Sequence, residues 1–65
     1  MVIMWINKFS KERGYVQSVD YQNRCFINTF SYADPKKFNA NNVEKVIAKL
    51  CEYGENKQND FEVVD

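Results

Sequence analysis

Two cysteines and a complete lack of histidine limit the chemistry that this 65-residue chain can perform. Histidine is the commonest general base and a common metal ligand, so Ser–His and Cys–His nucleophile pairs cannot form. Two cysteines are also too few for a tetrahedral zinc site of cysteine and histidine within one chain. We therefore expect no metal and no cofactor.

The two thiols differ in their sequence environment. Cys25 follows Arg24, whose positive charge could favour the reactive thiolate form, although an ordinary strand cysteine is the favoured interpretation. Cys51 lies on the apolar stripe of a predicted helix, where we expect a small buried hydrophobic residue. Neither cysteine belongs to the dense disulfide framework that is typical of small secreted domains. The sequence thus favours a cytoplasmic protein with two free thiols.

The acidic residues and glycines do not indicate catalysis. No two carboxylates are placed to form an acid–base pair in a pocket; those near the C-terminus are Glu52, Glu55, Asp60, Glu62 and Asp65. The two glycines stand alone at Gly14 and Gly54, so no glycine-rich phosphate loop is present. We predict that the chain is not an enzyme.

Nucleic-acid binding is the alternative function that the sequence supports. The segment RGYV, from Arg13 to Val16, resembles the start of an aromatic RNA-binding strand. The rest of that pattern is missing, because Gln17–Asp20 stands where further aromatic residues would be needed. The candidate phosphate contacts are Lys8, Lys11, Arg13 and Arg24.

The charge distribution is uneven although the net charge is zero. Residues 1–37 contain six basic and three acidic side chains, and residues 38–65 contain three basic and six acidic ones, so the halves carry +3 and −3. This balance argues against a strong phosphate-binding protein and against an acidic mimic of DNA. A neutral protein partner or self-association fits better.

Apolar periodicity predicts the elements that position these residues. Val2–Phe9, Gly14–Tyr21, Arg24–Ala33 and Phe61–Asp65 read as strands, with Gly14 and Asn23 as the expected left-handed turn residues. The first of these strands is apolar on both faces and is expected to be central. The predicted fold is α+β, a single domain over residues 1–65. It has a small antiparallel sheet of three or four strands and one amphipathic helix on one face, in the order β-β-β-α-β.

The helix has the clearest start and end signals of the predicted elements. Its apolar residues recur at helical spacing; they are Val43, Val46, Ile47, Leu50 and Cys51. Asn39 is the expected N-cap, with Phe38 and Val43 as a hydrophobic staple, and Asn41 is the competing cap. Gly54 fits a left-handed C-terminal cap, so we predict a helix over Ala40–Tyr53. At the N-terminus only six apolar residues precede Asn7, too few for a signal peptide or a membrane span.

Ten aromatic residues exceed what one helix and a small sheet can enclose. One helix covers one face of the sheet, so some large side chains are expected to remain exposed and to form an interface. The candidate interface residues are Trp5, Phe9, Phe26, Phe30 and Tyr32. We also expect a homodimer whose contact includes Trp5 or the row Phe26, Phe30 and Tyr32, because a domain of this size is marginally stable.

The order of these segments is similar to that of small accessory proteins of bacteriophages and mobile elements. The resemblance covers Gly14–Asp65 and rests on DPKKF (Asp34–Phe38), the capped helix NANNVEKVIAKL and the closing FEVVD. It implies a protein that binds a host protein, including components of defence systems, and inhibits or modulates it. It assigns no functional residue.

Overall fold

The chain forms a four-stranded antiparallel sheet and one helix in a computed structural model, which describes residues 1–31, 35–53 and 57–64. The elements are β1 (Val2–Asn7), β2 (Arg13–Asp20), β3 (Cys25–Thr29), α1 (Ala40–Glu52) and β4 (Asn59–Val64). The sheet order is β3-β2-β1-β4, with the helix between β3 and β4 in the chain. The α+β fold and the order β-β-β-α-β predicted from the sequence are confirmed.

β1 lies inside the sheet because it pairs with β2 on one side and β4 on the other. Trp5 stands opposite Gly14 in β2 and Phe61 in β4, so these three residues share one face. Met4 is opposite Tyr15 and Glu62 and belongs to the other face. β1 is thus the central strand that the sequence predicts; the helix packs on its face with Ile3 and Trp5, while Met4 and Ile6 on the other face are half-buried.

The core forms where the helix meets the face that carries Trp5. Val43, Val46 and Leu50 of α1 join side chains of β1 and β2 in one buried cluster. The members from the sheet are Ile3, Trp5 and Val16, and Tyr53 completes the cluster after the helix ends. Burial of such side chains contributes about 1.5–3 kcal/mol each, so this cluster is the main source of stability in the fold.

The bounds of α1 agree with the sequence pattern, with one correction inside the helix. Asn39 is the N-cap in an extended conformation, and its carbonyl accepts a hydrogen bond from the Val43 amide at 3.0 Å. Cys51, expected to be buried, is exposed. Successive residues are about 100° apart around a helix, so Cys51 lies well to one side of buried Leu50 and turns to solvent. The predicted cap Gly54 lies outside the described residues.

Gly14 has a different role from the one expected. It lies within β2, and the described residues with positive φ are instead Lys11 (66°) and Arg24 (57°), rather than Gly14 and Asn23. A Cβ atom at position 14 would come within 2.8 Å of Trp5 Cζ2 and 2.9 Å of the Thr29 carbonyl oxygen. The missing side chain therefore lets the indole of Trp5 approach the backbone of β2 closely.

Residues 36–38, which lead into α1, are hydrogen-bonded to one end of the sheet. Pairing between β1 and β2 stops at Met4 and Tyr15. Beyond that point the Lys36 amide donates to the Val16 carbonyl at 3.0 Å, and the Phe38 amide donates to the Met1 carbonyl at 2.7 Å. These bonds tie the approach to the helix to the sheet.

Candidate protein-interaction surface

The structure separates the five candidate interface residues into a buried group and an exposed group. Trp5 is only 6% exposed and belongs to the core, and Phe26 is half-buried against it. Phe9 is 81% exposed and Phe30 is 67% exposed. Tyr32 lies outside the described residues. We refer to Phe9 and Phe30 together as the Phe9–Phe30 surface.

Both residues of the Phe9–Phe30 surface lie at the same end of the sheet. Phe9 is in the turn that follows β1, and this turn leads into β2 at Arg13. Phe30 comes directly after β3, whose last residue Thr29 is opposite Tyr15, near the start of β2. The antiparallel register therefore places the two rings around one end of the molecule.

The turn that carries Phe9 is organised by Asn7. The Asn7 side-chain oxygen Oδ1 accepts hydrogen bonds from the amides of Phe9 and Ser10, both at 2.9 Å. The Asn7 amide donates to the Glu12 carbonyl at 2.8 Å, and the Asn7 carbonyl accepts from the Lys11 amide at 2.9 Å. The left-handed conformation of Lys11 closes the loop. Phe9 is thus presented to solvent by a hydrogen-bonded turn.

The ring of Phe30 packs against Trp5, which belongs to a series of contacting aromatic residues. Its ring lies edge-on to Trp5, with 5.7 Å between ring centroids. Trp5 contacts Phe26 at 6.4 Å, and Phe26 contacts Phe61 edge-on at 5.5 Å. Pairs at these separations are favourable beyond their buried area. Phe30 is therefore largely exposed while one side of its ring packs against the aromatic residues of the core.

Basic side chains accompany Phe9, but the four candidate phosphate contacts do not form one patch. Lys8, Lys11 and Arg13 are exposed around the turn that carries Phe9. Lys8 also forms a surface ion pair with Asp60 at 3.6 Å. Arg24 lies in the turn after β2, at the far end of that eight-residue strand. At the usual rise per residue it is roughly 23 Å from the turn that carries Phe9. Its guanidinium carbon lies 5.6 Å from the centroid of the Tyr53 ring.

The turn at that far end has its own polar network. Asp20 accepts hydrogen bonds from the Asn23 amide at 3.1 Å and from Asn23 Nδ2 at 2.7 Å. These hydrogen bonds, the side-chain one above all, lower the pKa of Asp20 below its ordinary value. The network stabilises the turn between β2 and β3.

The described residues contain no cluster of three or more histidine, cysteine or acidic side chains able to hold a metal ion. Cys25 is half-buried in β3 and Cys51 is exposed on α1. Across the described ranges, no helix combines the length and the apolar character needed to cross a membrane.

Sequence reasoning did not include Ile27 among the interface residues. Ile27 is at the centre of β3 and is 52% exposed, although it is a large aliphatic residue. It alternates with Phe26, which turns towards the core. The alternation of Phe26 and Ile27 can be read in the sequence. That β3 is an edge strand, which leaves Ile27 exposed, depends on the strand order.

No family model, curated protein or solved structure matches the chain, so comparison with known proteins assigns no function to this surface. The function is therefore argued from the surface described above.

Proposed function

We propose that this protein is a small, non-catalytic, cytoplasmic protein-binding module that uses the Phe9–Phe30 surface to bind a host protein and modulate it. The observation that supports this proposal is Phe9, a large apolar ring that is 81% exposed on a hydrogen-bonded turn. A turn whose backbone is already fixed in the unbound protein loses little backbone freedom on binding, and buried aromatic anchors dominate many interfaces.

The charges around Phe9 indicate the chemistry of the partner. Lys11 and Arg13 are exposed beside it, and Glu12 supplies one opposing charge. A partner with an apolar pocket rimmed by carboxylates would match this arrangement, since rim charges mainly guide association and specificity. From the resemblance of the segment order to that of bacteriophage and mobile-element accessory proteins, we propose a bacterial host protein as the partner and inhibition as the mode of action.

Capture from a bacterial lysate with matched variants tests this function. Phe9→Ala removes the exposed ring, while Tyr21→Ala removes a 55% exposed ring from the turn at the other end of the sheet. We expect the wild-type protein and Tyr21→Ala to retain the same host protein, and Phe9→Ala to lose most of it, as in the loss of a binding hot spot. Equal retention by the two variants would reject the Phe9–Phe30 surface, and no specific retention by the wild type would reject the function.

Nucleic-acid binding is the second candidate, and the clustering of Lys8, Lys11 and Arg13 around an exposed ring is the observation that favours it. Single-stranded nucleic acid is bound by such combinations of cations and stacking rings. This candidate predicts a mobility shift that weakens steeply as salt rises. No shift at about 50 mM salt, below the physiological ionic strength of about 0.15 M, would eliminate it.

A further inference from the structure

The two edges of the sheet differ in charge. β4 forms one edge and carries Asp60 and Glu62, and exposed charges of this kind prevent edge strands from pairing with other chains. β3 forms the other edge, and its five residues include no charged side chain and no proline. Among the described residues, none outside β2 forms a backbone–backbone hydrogen bond with β3. β3 is therefore the edge that lacks protecting charges and proline.

We propose that β3 pairs antiparallel with β3 of a second copy of this chain, in a register centred on Ile27. Two-fold pairing places Ile27 opposite Ile27, Cys25 opposite Thr29, and Phe26 opposite Asn28. None of these pairs brings like charges together, and the two exposed isoleucine side chains cover each other across the axis. The result is a continuous eight-stranded sheet with an isologous contact.

The features flanking β3 favour a second copy as the occupant. In the same register Arg24 of one protomer lies level with Phe30 of its partner, whose ring is 67% exposed. Guanidinium groups are attracted to aromatic faces, so the symmetry would form this pair twice if Arg24 exchanged the Tyr53 ring of its own protomer, 5.6 Å away, for Phe30 of the partner. Self-pairing through β4 would instead bring Asp60 and Glu62 close to their own copies, and like charges directly opposite each other destabilise a strand pair.

This contact can be tested apart from the proposed host-protein function, because Phe9 lies in the turn between β1 and β2, outside the β3 edge, whereas Phe30, directly after β3, belongs to both surfaces. Loss of dimerisation and loss of host-protein capture can therefore be measured separately.

Sedimentation velocity at micromolar concentration tests the dimer. We expect the wild-type chain, whose protomer mass is 7.7 kDa, to sediment as a dimer. Ile27→Lys places a charge at the centre of the contact and is expected to give a monomer with an unchanged circular-dichroism spectrum. Val63→Lys places the same charge on the other edge strand, β4, at a residue that is 36% exposed, and should leave the dimer intact. A monomeric wild type, or a dimeric Ile27→Lys, overturns the proposal.

Disulfide trapping tests the register without relying on a disruptive change. In the Cys25→Ser, Cys51→Ser background, Ile27→Cys would face its own copy at a Cα separation of about 4.5–5.5 Å, which a disulfide can span. We expect rapid formation of a covalent dimer, and none for Val63→Cys in the same background. The native Cys25 residues would be four positions out of register, roughly 13 Å apart, and should not cross-link. Equal cross-linking at positions 27 and 63 contradicts this register.

Discussion

At the scale of single residues, Asn7 has the largest influence on the candidate surface. Its side chain and its backbone together form four hydrogen bonds within the turn, to Phe9, Ser10, Lys11 and Glu12. Asparagine suits this position because its short side-chain amide can reach amides two and three residues further along the chain. The orientation of Phe9 thus depends on one neighbouring side chain.

Replacing Asn7 tests this dependence. Asn7→Ala removes the acceptor for two backbone amides, each worth about 0.5–1.5 kcal/mol, so we expect the free energy of unfolding to fall by about 1–3 kcal/mol. Asn7→Asp keeps the acceptor and is the matched control, expected to stay close to the wild type. Urea denaturation measures both variants. If the two substitutions destabilise equally, the hydrogen bonds of Oδ1 do not organise the turn.

At the scale of elements, the helix packs against the sheet, and we propose that the binding surface lies elsewhere. Its buried residues Val43, Val46 and Leu50 contact the face of the sheet that carries Trp5. The Phe9–Phe30 surface instead arises from the turn after β1 and the residue after β3. A change on the exposed side of α1 should therefore affect neither folding nor partner capture.

Two adjacent helix residues provide the corresponding prediction. Leu50 is fully buried, whereas Cys51 is exposed, although both belong to the apolar stripe in the sequence. We expect Leu50→Ala to lower the free energy of unfolding by about 2–5 kcal/mol through the cavity that it creates. Cys51→Ala should change it by less than about 0.5 kcal/mol. Chemical denaturation distinguishes them, and a large loss for Cys51→Ala would contradict the orientation of the helix.

At the scale of the whole molecule, sequence patterns predicted the individual helix and strands better than they predicted which strands pair. The helix from Ala40 and the succession of strands were predictable, because periodicity and capping depend on residues close in sequence. The strand order β3-β2-β1-β4 depends on contacts between distant segments, so the sequence could not show that β3 is an edge. For the same reason it did not separate buried Trp5 from exposed Phe9, or show that Gly14 makes room for the indole.

The molecule thus combines a small buried core with two proposed surfaces that share Phe30. The core joins α1 to the inner face of the sheet. The Phe9–Phe30 surface lies at one end of the sheet, and the uncharged β3 edge, with Ile27 at its centre, runs along one side. We propose that the first binds a host protein and the second a further copy of the chain. The binding of a host protein at Phe9 is the central claim.

Site-specific photo-cross-linking tests this claim most directly. A photoreactive phenylalanine analogue at position 9 replaces an exposed ring by one of similar shape, and the same analogue at position 21 is the control at the opposite end of the sheet. After irradiation in a bacterial lysate, we predict one specific protein adduct from position 9 and none from position 21. No adduct at position 9, the same adducts at both positions, or adducts to nucleic acid alone would contradict the account.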